Sequence, residues 1–230
     1  MTGVGEGVAV ISATFGGIDA AGTLTLTVGE AVPDPVPEDD APDTGLVAAQ
    51  VVAAVFSDEF TEVTVNTYAA GWGQFGAQSI VDLNGDAAGG NALLYEDLNF
   101  VGMEMIGANA LDVSAATNVR VSLWTPDATL IGFKLVDAGA NGALEGPRVD
   151  DDLEGRLAFL DISEPPLVTG EWVTYDFPLA AFVDTVGGAD PEVITTEHLS
   201  QIILDALVGA TPGVADVYVD NLIFYTTAVP

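Results

Sequence analysis

The sequence predicts an all-β protein: a two-sheet sandwich of the jelly-roll kind, preceded by a short β-hairpin segment. Three observations carry this. Short apolar runs alternate with polar residues at a period of two, as in Val119, Val121 and Leu123 against Arg120, Ser122 and Trp124. Turn-forming clusters separate the runs: Asn84-Gly85-Asp86, Gly89-Gly90, Asn141-Gly142, Pro165-Pro166 and Gly187-Gly188. Finally, small and β-branched residues dominate a 49% hydrophobic composition that includes 26 glycines, which favours short strands and turns over long helices.

Residues 1–28 hold two alternating runs, 8–14 and 23–28, around a Gly-Gly turn region, which is a hairpin signal. A lone hairpin is marginal in water, so this piece needs something to pack on. Residues 29–45, GEAVPDPVPEDDAPDTG, read as an acidic, proline-rich linker, because such a composition extends and repels itself. From 46 to 230 the pattern is one strand after another. Strands are predicted at 53–57, 62–66, 78–83, 92–98, 101–106, 118–124, 130–136, 157–162, 171–177, 201–207 and 216–225, with a short helix after Pro178 or over 195–200. A domain of this length suits a jelly roll.

Charge narrows the partners. Asp and Glu total 35 against 4 Lys and Arg, a formal charge of −31. Arg120, Lys134, Arg148 and Arg156 are too few for a phosphate-binding stripe, so nucleic acid and anionic lipid are excluded as partners. At about 1 M salt the Debye length falls to roughly 3 Å and the self-repulsion largely vanishes. The expected setting is therefore seawater-like or saltier, or rich in divalent cations; the plainer reading is that the acidic surface confers solubility. There are no cysteines, hence no disulfide framework or thiolate chemistry. The first residues lack a basic stretch followed by a long apolar run, so no signal peptide is expected here. No stretch approaches the ~20 apolar residues of a membrane span, so no membrane insertion is expected.

Catalysis finds little support. No G-x-S-x-G, H-E-x-x-H or paired-carboxylate string is present, and His198 is the sole histidine, so the expectation is no enzyme. The aromatic side chains are better candidates. Trp72 sits in Gly71-Trp72-Gly73-Gln74, where a large ring is either a ligand platform or a loop anchor. Trp124 alternates onto the face opposite Val119, Val121 and Leu123, so it belongs outside the sandwich if those three face the core. Trp172 reads as packing. Gln74, Asn99 and Glu104 are candidate polar partners for hydroxyl groups. Lys134 has either that role or an ordinary ion pair with a carboxylate.

VFSDEF (55–60), GWGQ (71–74), LLYEDLNFVGMEM (93–105), VSLWTPDAT (121–129), FKLVDAGANGA (133–143), TGEWVTYDFPLAAF (169–182) and VYVDNLIFY (217–225) together resemble a recurrent β-sandwich module. That module is appended to secreted marine bacterial glycoside hydrolases of the laminarinase-like kind, and residues 8–28 resemble the closing strands of a bacterial Ig-like repeat. The resemblance implies a galactose-binding-like jelly roll and a non-catalytic, extracellular or cell-surface role on a polysaccharide, β-glucan among the candidates. Trp72, Gln74, Asn99, Glu104 and Trp124 are the expected ligand-binding residues. The resemblance also implies a structural Ca²⁺ tying the first strand to the last, through Asp58 or Glu59 and Asp220. Two other acidic clusters, Asp82-Asn84-Asp86 and Asp150-Asp151-Asp152 with Glu154, compete with it or are solvated loops. Modules of this type also serve as spacers and on phage virions. The alternative expectation is thus a structural or adhesive module of a surface or virion protein, self-associating through residues 1–45 and lacking glycan affinity.

Overall fold

A computed structural model describes residues 35–85, 90–146, 149, 151–185 and 190–227, and in the N-terminal region the strand backbones alone. The chain forms two compact units, Met1–Pro35 and Val36–Pro230. In the first, β1 (Gly7–Ile11) pairs antiparallel with β4 (Leu24–Val28), and β2 (Thr14–Phe15) with β3 (Ile18–Asp19).

The second unit is a β-sandwich of the jelly-roll type. Its six-stranded sheet runs β12 (Val173–Pro178), β9 (Asn118–Trp124), β17 (Ala215–Tyr225), β7 (Asn91–Leu98), β6 (Ala77–Asp82), with β5 (Val51–Phe56) also on β17. The five-stranded sheet runs β11 (Leu153–Phe159), β10 (Leu130–Asp137), β15 (Leu199–Val208), β16 (Thr211–Pro212), with β8 (Phe100–Glu104) also on β15. A separate two-stranded ladder of β13 (Val183–Asp184) and β14 (Glu192–Val193) completes the set. Among the described residues no α-helix forms; Leu179–Ala181 after Pro178 makes only one 3₁₀ turn.

The period-2 pattern decides which side chains meet between the sheets. Val119, Val121 and Leu123 of β9, Ile131, Phe133 and Leu135 of β10, and Ile202, Leu204 and Ala206 of β15 all join one buried cluster. Rings of the two sheets stack across it: Phe159 lies on Tyr175 with centroids 4.0 Å apart and planes 9° from parallel.

Three sequence expectations give way. Residues 62–66 form no strand; the stretch passes from an isolated bridge between Glu62 and Ala54 of the six-stranded sheet to one between Thr67 and Glu104 of the five-stranded sheet, so it has no single partner strand to form a ladder with. Residues 195–200 hold no helix, and β15 begins at Leu199, whose buried side chain joins the core. Residues 36–45, assigned from the sequence to the linker, lie along the sandwich. Trp172 Nε1 donates to Asp39 O (2.8 Å), Asn221 Nδ2 to Pro42 O (3.1 Å), Arg120 Nη1 to Thr44 O, and Thr44 Oγ1 to Glu59 Oε2 (2.7 Å). The segment's carbonyls accept from side chains of the sandwich, while Pro37 and Pro42 bring no N–H of their own to satisfy, which suits the role of strap.

Candidate functional site

The outward face of the five-stranded sheet collects the side chains best suited to hold a hydroxylated ligand. Phe100, Gly102 and Glu104 of β8 alternate away from the buried Val101 and Met103, and Gln201, Ile203 and Asp205 of β15 lie opposite them in register. Beyond β15 come Gly132 and Lys134 of β10, then Glu154 and Arg156 of β11. On the far edge of β8 the segment 67–74 adds backbone bridges at Thr67 and Gln74, and brings in Trp72.

Trp72 is 43% exposed. Its ring stacks on Phe100 with centroids 6.1 Å apart and planes inclined by 22°. It also covers Gly102 so closely that a Cβ there would run into the indole. Nε1 donates to Glu104 Oε1 (3.0 Å), and Gln201 Nε2 donates to the same oxygen (3.0 Å). The indole is thus fixed by a ring beneath, a glycine that admits it, and a hydrogen bond at its polar edge, while part of it stays in solvent. Nearby, Arg156 grips Asp205 with two bonds (3.0 and 2.6 Å) directly over Gly132, where a Cβ would meet the ends of both side chains. Lys134 Nζ meets Glu154 Oε2 at 2.7 Å. Two of the chain's four cations therefore stand side by side on this face, Lys134 being the register partner of Arg156.

Gln74 and Asn99 sit at the Phe100 end. Asn99 Nδ2 donates to Gln74 Oε1 (2.8 Å), and both line an open cleft of about 500 Å³ with Asp97 and Pro212. Trp72, Glu104, Gln74 and Asn99 are therefore neighbours around β8.

Trp124 does not join them. It projects from the outer side of the other sheet, as its alternation predicts, yet it is only 4% exposed. Tyr218 meets it edge-on at 5.3 Å, and Trp172, Leu94 and Ala92 pack around it in a small second core. The expectation of an exposed Trp72–Trp124 pair is corrected: an aromatic ring on an outer sheet face still buries itself when cross-strand aromatic neighbours supply enough apolar area.

Asp58, Glu59 and Asp220 lie near one another at the other sheet. In β17 the edge pairing passes from β7 to β5 at a register shift after Asp220, where Asn221 takes φ 52°. Asp220 is 5% exposed, and burial, reinforced by Asp58, Glu59 and Asp40, pushes its carboxyl up to about 7 although the Asn221 N–H bond opposes this. Asp58 accepts from Asn91 N (2.6 Å) and Nδ2 (3.1 Å), and Glu59 accepts from Thr44. Among the described residues no three His, Cys, Asp or Glu side chains form a ready-made metal cluster. Of the competing acidic clusters, Asp86 and Asp150 lie outside the described residues; Asp82 caps Gly85 N (2.6 Å) and Glu154 is held by Lys134.

Sequence reasoning missed Phe100, Gln201, Asp205 and Arg156. Their assembly depends on strand order and register, which no local pattern encodes.

No protein-family model and no curated protein matches this chain. Among solved structures it is similar to the family 30 carbohydrate-binding module of the cellulosomal cellulase Cel9D-Cel44B of Clostridium thermocellum. The TM-score is 0.52 at 13% identity, over 76% of this chain and 97% of that one. A second family 30 carbohydrate-binding module gives 0.51 at 12% identity, over 76% and 88%. These likenesses show the fold: the second unit shares the β-sandwich of carbohydrate-binding modules.

Proposed function

We propose that the sandwich is a non-catalytic carbohydrate-binding module of a secreted or surface protein, holding a polysaccharide across the outward face of β11, β10, β15 and β8. The carrying observation is Trp72, an indole partly in solvent yet held from below by Phe100 and at its edge by Glu104. The apolar C–H face of a sugar packs on such a ring with little ordering cost, since Phe100 and Glu104 already hold the ring in place. Gln201, Asp205, Arg156 and Lys134 supply donors and acceptors for hydroxyls in fixed positions. The carboxylates here are engaged by neighbours, which suits hydrogen bonding better than acid–base work. The fold shared with the family 30 modules supports the same reading.

Affinity electrophoresis of the full chain through gels containing individual polysaccharides, mixed-linkage and β-1,3-glucans included, tests this. At least one polymer is expected to retard the protein, and Trp72→Ala to abolish the retardation with unchanged melting. Mobility identical in every gel, or retardation untouched by Trp72→Ala, overturns the reading and leaves the structural or adhesive alternative.

The second part of the proposal is a divalent cation at Asp220. The carboxylates of Asp220, Asp58, Glu59 and Asp40 are not gathered into a ready-made cage, so a cation would have to draw them together; they are hard oxygen groups of the kind calcium selects. The Asp220 carboxyl is raised chiefly by burial and further by its three acidic neighbours, and a cation would relieve that repulsion. The cation would tie the end of β5 to β17, a stabilising role apart from the sugar-facing surface.

A further inference from the structure

The proposed saccharide face ends in a pocket of a different character. Leu130 and Leu207 are register partners on β10 and β15, one row beyond Gly132 and Asp205, and both point outward. Leu160 follows β11 on the same side, and Pro166, Leu167 and Val168 of the following loop wall a cavity of about 630 Å³. That volume lies within the range of small-molecule sites, roughly 300–1,000 Å³. No aromatic ring lines it, so it offers no stacking platform. Its polar side chains, Thr129, Asp161 and Thr169, are exposed. The Thr129 hydroxyl is already committed, accepting from Gly209 N (2.7 Å) and donating to Leu207 O (3.2 Å).

A hydroxylated sugar ring seated there would leave its O–H groups unpaired against leucine, at a cost of about 1–3 kcal/mol for each buried one. An apolar group faces no such penalty. Two residues of strand separate Leu207 from Asp205, roughly 7 Å, so a short saccharide on the face reaches the pocket.

We propose that this pocket takes an apolar group attached to the glycan, an acyl ester or alkyl ether, so that the module prefers substituted saccharide chains over bare ones. The inference rests on the saccharide reading of the adjacent face.

Calorimetric titration of the full chain with hexyl β-cellobioside and methyl β-cellobioside separates the two ideas. The hexyl compound is expected to bind at least tenfold more tightly. Leu207→Gln and, independently, Leu130→Gln should each bring that ratio close to one; both residues are half-buried on the outer side, so the fold has no need of their apolar tips. Trp72→Ala should weaken both compounds and keep the ratio. Equal binding of the two cellobiosides, no binding of the hexyl compound, or a preference that survives both leucine substitutions overturns the pocket. A leucine-dependent preference that Trp72→Ala leaves wholly unaltered supports the pocket and instead contradicts the sugar-facing role of Trp72.

Discussion

Trp72 and Glu104 are joined edge to carboxylate: the indole N–H donates to Oε1 at 3.0 Å, and Gln201 shares that oxygen. One acceptor thereby orients a platform from the loop and a polar side chain from β15. Removing it should loosen both at once. Glu104→Ala is expected to weaken polysaccharide binding about tenfold, which corresponds to about 1.4 kcal/mol. Glu104→Gln, which keeps an acceptor, should lose less. Titration of both variants checks this; equal losses would mean that the charge, and not the orientation of the ring, matters.

Gly102 lies under the Trp72 ring with no space for a methyl group. Gly102→Ala should push the indole off Phe100 and reduce binding as strongly as Trp72→Ala, while the melting temperature changes little. Wild-type affinity in Gly102→Ala would show that the stacked position is not the one that meets ligand.

Trp124 should behave in the opposite way. It is buried in the second core against Tyr218 and Trp172, so Trp124→Ala is expected to cost about 3–5 kcal/mol in denaturant unfolding. The folded fraction should retain its affinity. A stability change within experimental error would contradict the packing role.

Asp220 gives a pH signature with a definite sign. Its folded carboxyl titrates at about 7, above the ordinary 3.8, so the folded state holds the extra proton between these values. Its contribution to stability is therefore full below pH 4 and is lost as pH rises through 7, by about 1.4 kcal/mol per unit at most. In chelator, Asp220→Asn should be more stable than the unmodified chain at pH 8, by a smaller margin at pH 5, and nearly equal to it only below the ordinary carboxylate value of 3.8. Adding Ca²⁺ should raise the melting temperature of the unmodified chain more at pH 8 than at pH 5, and should leave Asp220→Asn unmoved. A melting temperature indifferent to Ca²⁺ at both pH values contradicts the cation.

The strap should be felt in stability. A chain starting at Leu46 loses the bonds that Trp172, Asn221, Arg120 and Glu59 make to residues 39–44. At about 1 kcal/mol each, its melting temperature should fall by several degrees or more. An unchanged value would make those residues a passive tether.

Much of this fold was legible because burial on one face writes itself into alternation. The strand expected at 118–124 is β9 with the same ends, and its inward and outward residues are as the pattern predicts. Alternation says which face a residue takes, and nothing about what covers that face, which is why Trp124 read as exposed. The 62–66 stretch alternated too, yet it lies between isolated bridges to two different sheets. The acidic prolines of 36–45 looked like a spacer because composition reports stiffness and solvation, whereas the bonds that hold the strap come from residues far away in the chain. Of the candidate site, Trp72 and Glu104 were visible as residues, but their pairing and the contributions of Phe100, Gln201 and Asp205 required the register of β8 on β15.

The most direct test of the saccharide face uses the fact that the chain has three tryptophans, each with one indole N–H resonance. In a ¹⁵N-labelled sample titrated with the oligosaccharide of whichever polymer retards the protein, the Trp72 signal should shift progressively while those of Trp124 and Trp172 stay in place. A still Trp72 signal at saturating oligosaccharide, or movement confined to Trp124 or Trp172, would contradict the account.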